Sequence, residues 1–263
     1  MKIVGLSEEY RELYFKCLED WSEDMKESGN HKACWYGRMK DKGLGVKLAL
    51  DDEDKVGGMI QYYPSEYAPI QGENIYFIGC IWVHGHKKGR GNFQKKGMGK
   101  ALLQAAEEDV RSRGAGGLAA WGLSLPVWMK ASWYRKRGYQ KVDKQGMAVL
   151  LWKPFGDNVP PPRWVKPKKK PEKEAGKVVV TAFINGWCPA QSISVERAKR
   201  AAAEFGEKVE FREVQTSDRD VFLEWGIQDA LYVDDKNILR GPPLKYEKIK
   251  KKIANKAKKI KRS

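Results

Sequence analysis

Apolar positions along this chain follow two rhythms. From Asn74 to Val83 they run almost without interruption through β-branched and aromatic residues (NIYFIGCIWV), which predicts a buried strand. From Met98 the spacing widens, and Met98, Leu102, Ala105, Ala106 and Val110 share one face of an amphipathic helix. Upstream, residues 2–6 predict a first strand, and 7–20 and 21–39 predict two helices anchored by Tyr10, Tyr14, Trp21 and Trp35. Residues 45–50 and 56–63 are short apolar strands around the polar turn 51–55, and so form a hairpin. Downstream, 118–123 predicts another strand, and 128–137 a helix closed by Gly138 in the left-handed conformation. Residues 139–142 with 147–152 predict a closing strand or hairpin.

The pattern stops abruptly at Lys153. Between residues 153 and 177, Pro154, Pro160, Pro161, Pro162, Pro167 and Pro171 interleave with Lys166, Lys168, Lys169, Lys170 and Lys173. No core can be built from that composition, which reads as an extended, semi-rigid linker to which Phe155 and Trp164 add possible pins. Beyond it the order is strand (178–185), helix (192–205), strand (209–215), helix (218–225), strand (226–233) and a turn at 234–237. The 263 residues therefore divide into a first domain over 1–155, a Pro/Lys-rich linker over 156–176, a smaller domain over 177–243 and a basic helix or tail over 244–263.

Chemistry is suggested first at the start of the amphipathic helix. Gln94-Lys95-Lys96-Gly97-Met98-Gly99-Lys100 leads straight into it, and the first amides of a helix are unpaired donors at its positive pole. Gly97 and Gly99 let the main chain approach a phosphate closely, and three lysines surround the same point. Ala101 follows Lys100 where a Walker loop needs Ser or Thr, and a dinucleotide fingerprint would need a third glycine and a later acidic residue. Glutamine, two residues, glycine, one residue, glycine at a helix start resembles the coenzyme A pyrophosphate loop of the GNAT superfamily of acyl-coenzyme A N-acyltransferases. Ala131-Ser132-Trp133-Tyr134 through Gly138-Tyr139 is similar to the same family's segment over the pantetheine arm. The order of elements over 1–155 also matches that fold.

The resemblance implies an α/β (α+β) fold with a splayed mixed sheet, acetyl-coenzyme A as cosubstrate, and an amine of a small molecule or peptide as acceptor attacking the thioester directly. It implies that main-chain groups of Cys80, Ile81, Trp82 and Val83 bind pantetheine and polarise the thioester, and that Gln94, Lys95, Lys96, Gly97, Met98, Gly99 and Lys100 hold the pyrophosphate. Ala131 and Tyr134 would lie against the pantetheine arm, with Tyr134 as general acid; as a residue on a helix full of aromatics, Tyr134 can equally be packing. The general base stays open. No carboxylate lies between Asn74 and Val83, where several family members place a glutamate; Glu66, His84, His86 or a water connected to bulk are the alternatives. The stretch 84–93, rich in glycine and lysine, predicts a mobile basic loop lying over the coenzyme's 3'-phosphate, closing on an acidic acceptor or simply solvated. Cys80, His84 and His86 have ligand chemistry but no standard zinc spacing, and no metal is expected.

In the second half, Trp187-Cys188-Pro189 at a helix start after a strand resembles a thioredoxin-like module, in which helix amides would acidify the thiol. Gln191 stands where a resolving cysteine would be, and Leu231 roughly where that family has a cis-proline, so a monothiol or substrate-presenting module is expected. The combination looks like the bacterial and archaeal acetyltransferases called YoaP-like. Four cysteines, Cys17, Cys34, Cys80 and Cys188, form no paired framework; with no signal core and no apolar run of membrane-spanning length, the expectation is a cytoplasmic protein with reduced thiols. The net charge is +16, of which about +11 falls after residue 152, much of it in 245–262. There Ile249, Ile253, Ala257 and Ile260 share a helix face, which predicts docking by the isoleucines over contact with nucleic acid. A basic adaptor or RNA-binding protein on a degenerate fold of this type is the alternative to an enzyme.

Overall fold

The computed structural model describes residues 1–125, 129–239 and 241–260. They form two compact units, the first of residues 1–21 and 38–166, the second of 22–37 and 167–263. The boundary between the units falls at 166–167, within the stretch 156–176 read as a linker, and residues 22–37 group with the second unit.

In the first unit, β1 (Lys2–Gly5), a 3₁₀ turn (Glu8–Tyr10) and α1 (Arg11–Phe15) come first. The two long helices expected over 7–39 are instead α1, α2 (Glu23–Lys26) and α3 (His31–Met39). Cys17 and Leu18 adopt left-handed conformations at φ 49° and 62°, which ends α1, and Gly29 at φ 64° separates α2 from α3. Then follow β2 (Gly45–Leu50), β3 (Val56–Pro64), β4 (Ile70–Gln71), β5 (Ile75–Val83), α4 (Met98–Ser112), β6 (Gly117–Leu123), α5 (Ala131–Arg135), β7 (Gln140–Gln145), β8 (Ala148–Pro154) and β9 (Arg163–Trp164). The expected helix start at Trp128 lies outside the described residues. Gly138, at φ 86°, ends the segment after α5 as expected.

Seven strands form one sheet in the order β1-β2-β3-β5-β6-β8-β7, and only β5 and β6 are parallel. That pair is short: Ile75 to Ile78 pair with Gly117 to Ala120, and the rest of β5 has left β6. The cause is local. Against β3, Gln61 pairs with Cys80 and Tyr62 with Ile78, so Gly79 is an extra residue in β5 and bends the strand. Tyr63 lies against Gly79 so closely that a Cβ there would stand 2.7 Å from its ring. In the opened gap, the Trp121 indole donates to the Gly79 carbonyl at 2.9 Å. Helix α4 buries Met98, Leu102, Leu103, Ala106 and Val110 against the sheet, about 1.5–3 kcal/mol for each large side chain.

The proline-rich segment is not all linker. Strand β9 pairs with β4, Ile70 opposite Trp164, and Trp164 and Val165 are buried. The Trp164 amide also donates to Asp143 at 2.9 Å.

The second unit contains β10 (Val178–Ile184), α6 (Pro189–Ala203), β11 (Val209–Gln215), α7 (Arg219–Trp225), β12 (Ala230–Val233), β13 (Lys236–Asn237) and α8 (Tyr246–Ala257). Its sheet runs β11-β10-β12-β13, with β10 and β11 parallel and the other pairs antiparallel. Val178, Val180, Ala182 and Ile184 of β10 meet Val195, Ala198 and Ala202 of α6 and Ile249, Ile253 and Ala257 of α8. The carboxy-terminal helix is therefore docked by the apolar stripe read from its sequence; Lys261 and Arg262 lie outside the described residues. Arg197 of α6, buried, pairs with Asp24 at 2.6 Å and Glu27 at 2.5 Å of the α2 region, which ties residues 22–37 to this unit.

Candidate active site

The β5–β6 ladder ends at Ile78 and Ala120, and α4 begins beside the part of β5 beyond it. Gly97 precedes that helix at φ 85°, a conformation that disfavours a side chain, and a Cβ there would meet nothing within 4 Å. The first donor the helix itself uses is the Lys100 amide, to the Gly97 carbonyl at 3.0 Å, so the amides before it project from the positive end. A Cβ on Gly99 would stand 3.4 Å from the Trp133 ring and 3.8 Å from Val83. The absence of side chains here leaves the space between strand, helix start and opposing α5 open.

Between them lies a cleft of about 620 Å³. Ile81, Trp82 and Val83 line it from β5; Gln94, Lys95, Gly97, Met98, Gly99 and Lys100 from the loop and helix start; and Tyr134 from α5. Cys80, Lys96 and Ala131 are next to this surface in sequence but do not line it. The sequence reading missed Phe93, Met129, Lys130, Trp133 and Arg137, which also line the cleft. Trp133 and Arg137 are four residues apart, and the guanidinium lies 3.9 Å from the ring centre, a stacked pair that the helical spacing could have suggested.

Tyr134 is 1 % exposed, and its hydroxyl has no hydrogen-bond partner among the described residues. Burial pushes its pKa far above the ordinary tyrosine value, and the nearby Cys80 thiol adds to the effect. A buried, unpaired phenol costs about 1–3 kcal/mol unless something fills its hydrogen-bonding capacity, and a thioester sulfur entering the cleft would do so. The orphaned phenol and the glycine-edged helix start both fit a coenzyme A thioester.

The other candidates are placed elsewhere. Glu66 is exposed in a 3₁₀ turn (Ser65–Tyr67) and does not line the cleft. His84 is 0 % exposed: its Nδ1 donates to the Gly91 carbonyl at 2.7 Å, and its Nε2 accepts from the Trp21 indole at 2.9 Å. Trp21 can only donate, so the pair of contacts fixes the neutral tautomer and leaves no nitrogen for an acceptor's proton. Nor is the 84–93 loop free: the Phe93 amide closes onto the His84 carbonyl at 2.9 Å, Arg90 bonds the Val56 carbonyl, and Phe93 is buried. His84 is its pin. Cys80, His84 and His86 do not come together as a metal set; among the described residues no group of three or more His, Cys, Asp and Glu side chains could hold one.

Burial, chiefly, lowers the His84 pKa. As pH falls through about 6.5, an unfolded histidine takes up a proton that folded His84 refuses, so the fold loses stability down to the folded pKa and no further. His84→Gln should melt lower at pH 7.5 than the parent but lose less between pH 7.5 and 5.5. Parallel melting-temperature profiles would exclude this role.

The acetyltransferase (GNAT) family model matches residues 5–139, more than half of the chain. The chain belongs to the GNAT acetyltransferase family, and is an N-acetyltransferase that depends on acetyl-coenzyme A. It is 25 % identical over 212 residues to the uncharacterized N-acetyltransferase YoaP of Bacillus subtilis, covering 78 % of each chain. Among solved structures it resembles the ribosomal-protein-alanine N-acetyltransferase of Brucella melitensis (TM-score 0.45, 16 % identity, 59 % of this chain and 100 % of that one). A GNAT acetyltransferase of the same organism in complex with acetyl-CoA gives a TM-score of 0.42 at 18 % identity, over 60 % of this chain and 90 % of that one. No helix among the described residues is long and apolar enough to cross a membrane.

Proposed function

We propose that the protein transfers the acetyl group of acetyl-coenzyme A to an amine of a small molecule or peptide by direct attack in this cleft. The observation that carries the reading is the buried, unpaired Tyr134 hydroxyl at the place where β5 leaves β6. The amides at the start of α4, with Lys95 and Lys100, bind the pyrophosphate; main-chain groups of residues 80–83 hold the pantetheine arm and polarise the thioester. As the amine attacks, the carbon–sulfur bond breaks and Tyr134 gives its proton to the leaving sulfur. Burial keeps the Tyr134 phenol protonated until the thiolate leaves.

The second unit is a thioredoxin-like module in this reading, supported by its strand order and by Cys188, half-buried at the N-cap of α6. With Gln191 in place of a resolving thiol, it presents substrate and does not exchange disulfides. The protein acts in the cytoplasm.

Acetyl-coenzyme A should raise the melting temperature, by the equivalent of about 2.7 kcal/mol at a hundred times Kd, since it binds the folded chain alone. A screen of amines and cell extract for coenzyme A release then finds the acceptor. An unchanged melting temperature at millimolar acetyl-coenzyme A would overturn the assignment of this cleft as its binding site.

A further inference from the structure

Along β5, side chains alternate between two faces. Ile81 and Val83 pack into the core with α4, so Cys80 and Trp82 look the other way. That other face is the one α1 covers, since Gln61, opposite Cys80 in register, accepts from the Tyr14 hydroxyl at 2.8 Å. An amine reaching the thioester from this side passes Trp82, which lines the cleft. Beside Trp82 lies His86, ring centres 6.4 Å apart, and His86 also meets Trp21 at 5.8 Å. His86 is 53 % exposed, and its Nε2 is 3.9 Å from the Glu19 carboxylate, itself only 18 % exposed.

Glu19 is held there at a cost. The two left-handed residues before it, Cys17 and Leu18, each carry about 1–2 kcal/mol of backbone strain, which the complete burial of Leu18 offsets. This backbone places the Glu19 carboxylate, 18 % exposed, facing His86. The indole N–H of Trp82 is also buried without a hydrogen-bond partner among the described residues.

We propose, on the reading that the cleft transfers acetyl groups, that Glu19 and His86 form its acceptor end: they seat the acceptor's ammonium beside Trp82 and remove the proton it must lose before attack. The acceptor is a primary alkylamine with one positive charge. The Lys88 ammonium stands 5.8 Å over the Trp21 ring, so this corner already accommodates an alkylammonium group. Arg90 is paired with Asp20 at 3.5 Å, and the lysines Lys87 and Lys88 of the same loop disfavour acceptors with several charges. In the reaction the ammonium passes one proton through His86 to Glu19, and thence to solvent. The freed lone pair forms the carbon–nitrogen bond, the carbon–sulfur bond breaks, and sulfur takes the Tyr134 proton. The second proton leaves the nitrogen as the amide forms and restores the phenol through water.

Burial holds the Glu19 pKa above the ordinary carboxylate value, against the pull of His86. The other charged or titratable groups around the pair are Asp20, His84, Lys87, Lys88 and Arg90. The acid limb of kcat/KM for the amine should therefore follow Glu19.

The test uses the full-length protein, acetyl-coenzyme A, and two probes, Nα-acetyl-lysine methylamide with one charge and spermidine with three. The capped lysine should be acetylated with the higher kcat/KM. Glu19→Gln should lower that value about 10²-fold and remove the acid limb, His86→Asn should lower it in the same direction, and Glu19→Asp should recover part of the loss, all with acetyl-coenzyme A affinity unchanged within a few-fold. Full activity in both Glu19→Gln and His86→Asn overturns the proposal. So does a parent protein that binds acetyl-coenzyme A and ignores the capped lysine or prefers spermidine. Failure to bind acetyl-coenzyme A at all would instead remove the transferase reading beneath it.

Discussion

Tyr134→Phe should lower kcat by about 10²–10⁴-fold while coenzyme A affinity stays within a few-fold, because only the departing sulfur needs the phenolic proton. The same substitution should leave the melting temperature unchanged or slightly raised. In the resting protein the hydroxyl is buried and unpaired, and deleting an unsatisfied polar atom removes a penalty. The combination separates catalysis from packing: a tyrosine kept for its ring alone would show neither the kinetic loss nor this dissociation of activity from stability. An unchanged kcat, measured in single turnovers where chemistry limits, would return Tyr134 to the core.

Replacing both Gly97 and Gly99 by valine should abolish binding of acetyl-coenzyme A by a folded protein. At Gly97 the new Cβ meets no protein atom, so the cost to the fold is backbone strain at φ 85°, about 1–2 kcal/mol. At Gly99 the Cβ makes ordinary contacts with Trp133 and Val83, and the branched methyls extend beyond them. Both side chains project where a phosphate must come within hydrogen-bonding distance of the α4 amides. Ligand-induced stabilisation should vanish in the double variant; a retained shift would place the pyrophosphate elsewhere.

The parts of this site that were legible in the sequence are those in which one segment carries its own signal. The strand 74–83, the glycine turn and the apolar face of α4 each depend on neighbours within a few residues, and the structure brings them to one cleft. What escaped depends on distant partners. His84 reads as a base by type, but its pocket is made by Trp21, 63 residues away. Nothing in Cys17-Leu18 announces left-handed residues, since neither is glycine, and so the helix read through 7–20 stops short. Strand β9 is two residues long within a run of prolines and lysines, and only Ile70 and Gln71 opposite make it a strand. Arg137 stacking on Trp133 is the exception, a local pair four residues apart that the helical spacing allowed and the reading passed over.

The membership of residues 22–37 in the second unit sets a schedule for the ribosome. Glu27 leaves the exit tunnel 170 residues before Arg197, its partner in α6. At about 5–20 residues per second, the α2 region waits roughly ten to thirty seconds with Met25 and Trp35 lacking the unit in which they are buried. For that interval the nascent chain holds Met25 and Trp35 uncovered, within an otherwise polar segment, between strands that are already made. A chain cut after Lys166 should therefore leave Met25 and Trp35 exposed and be less soluble than the full chain, which sedimentation of the two would check.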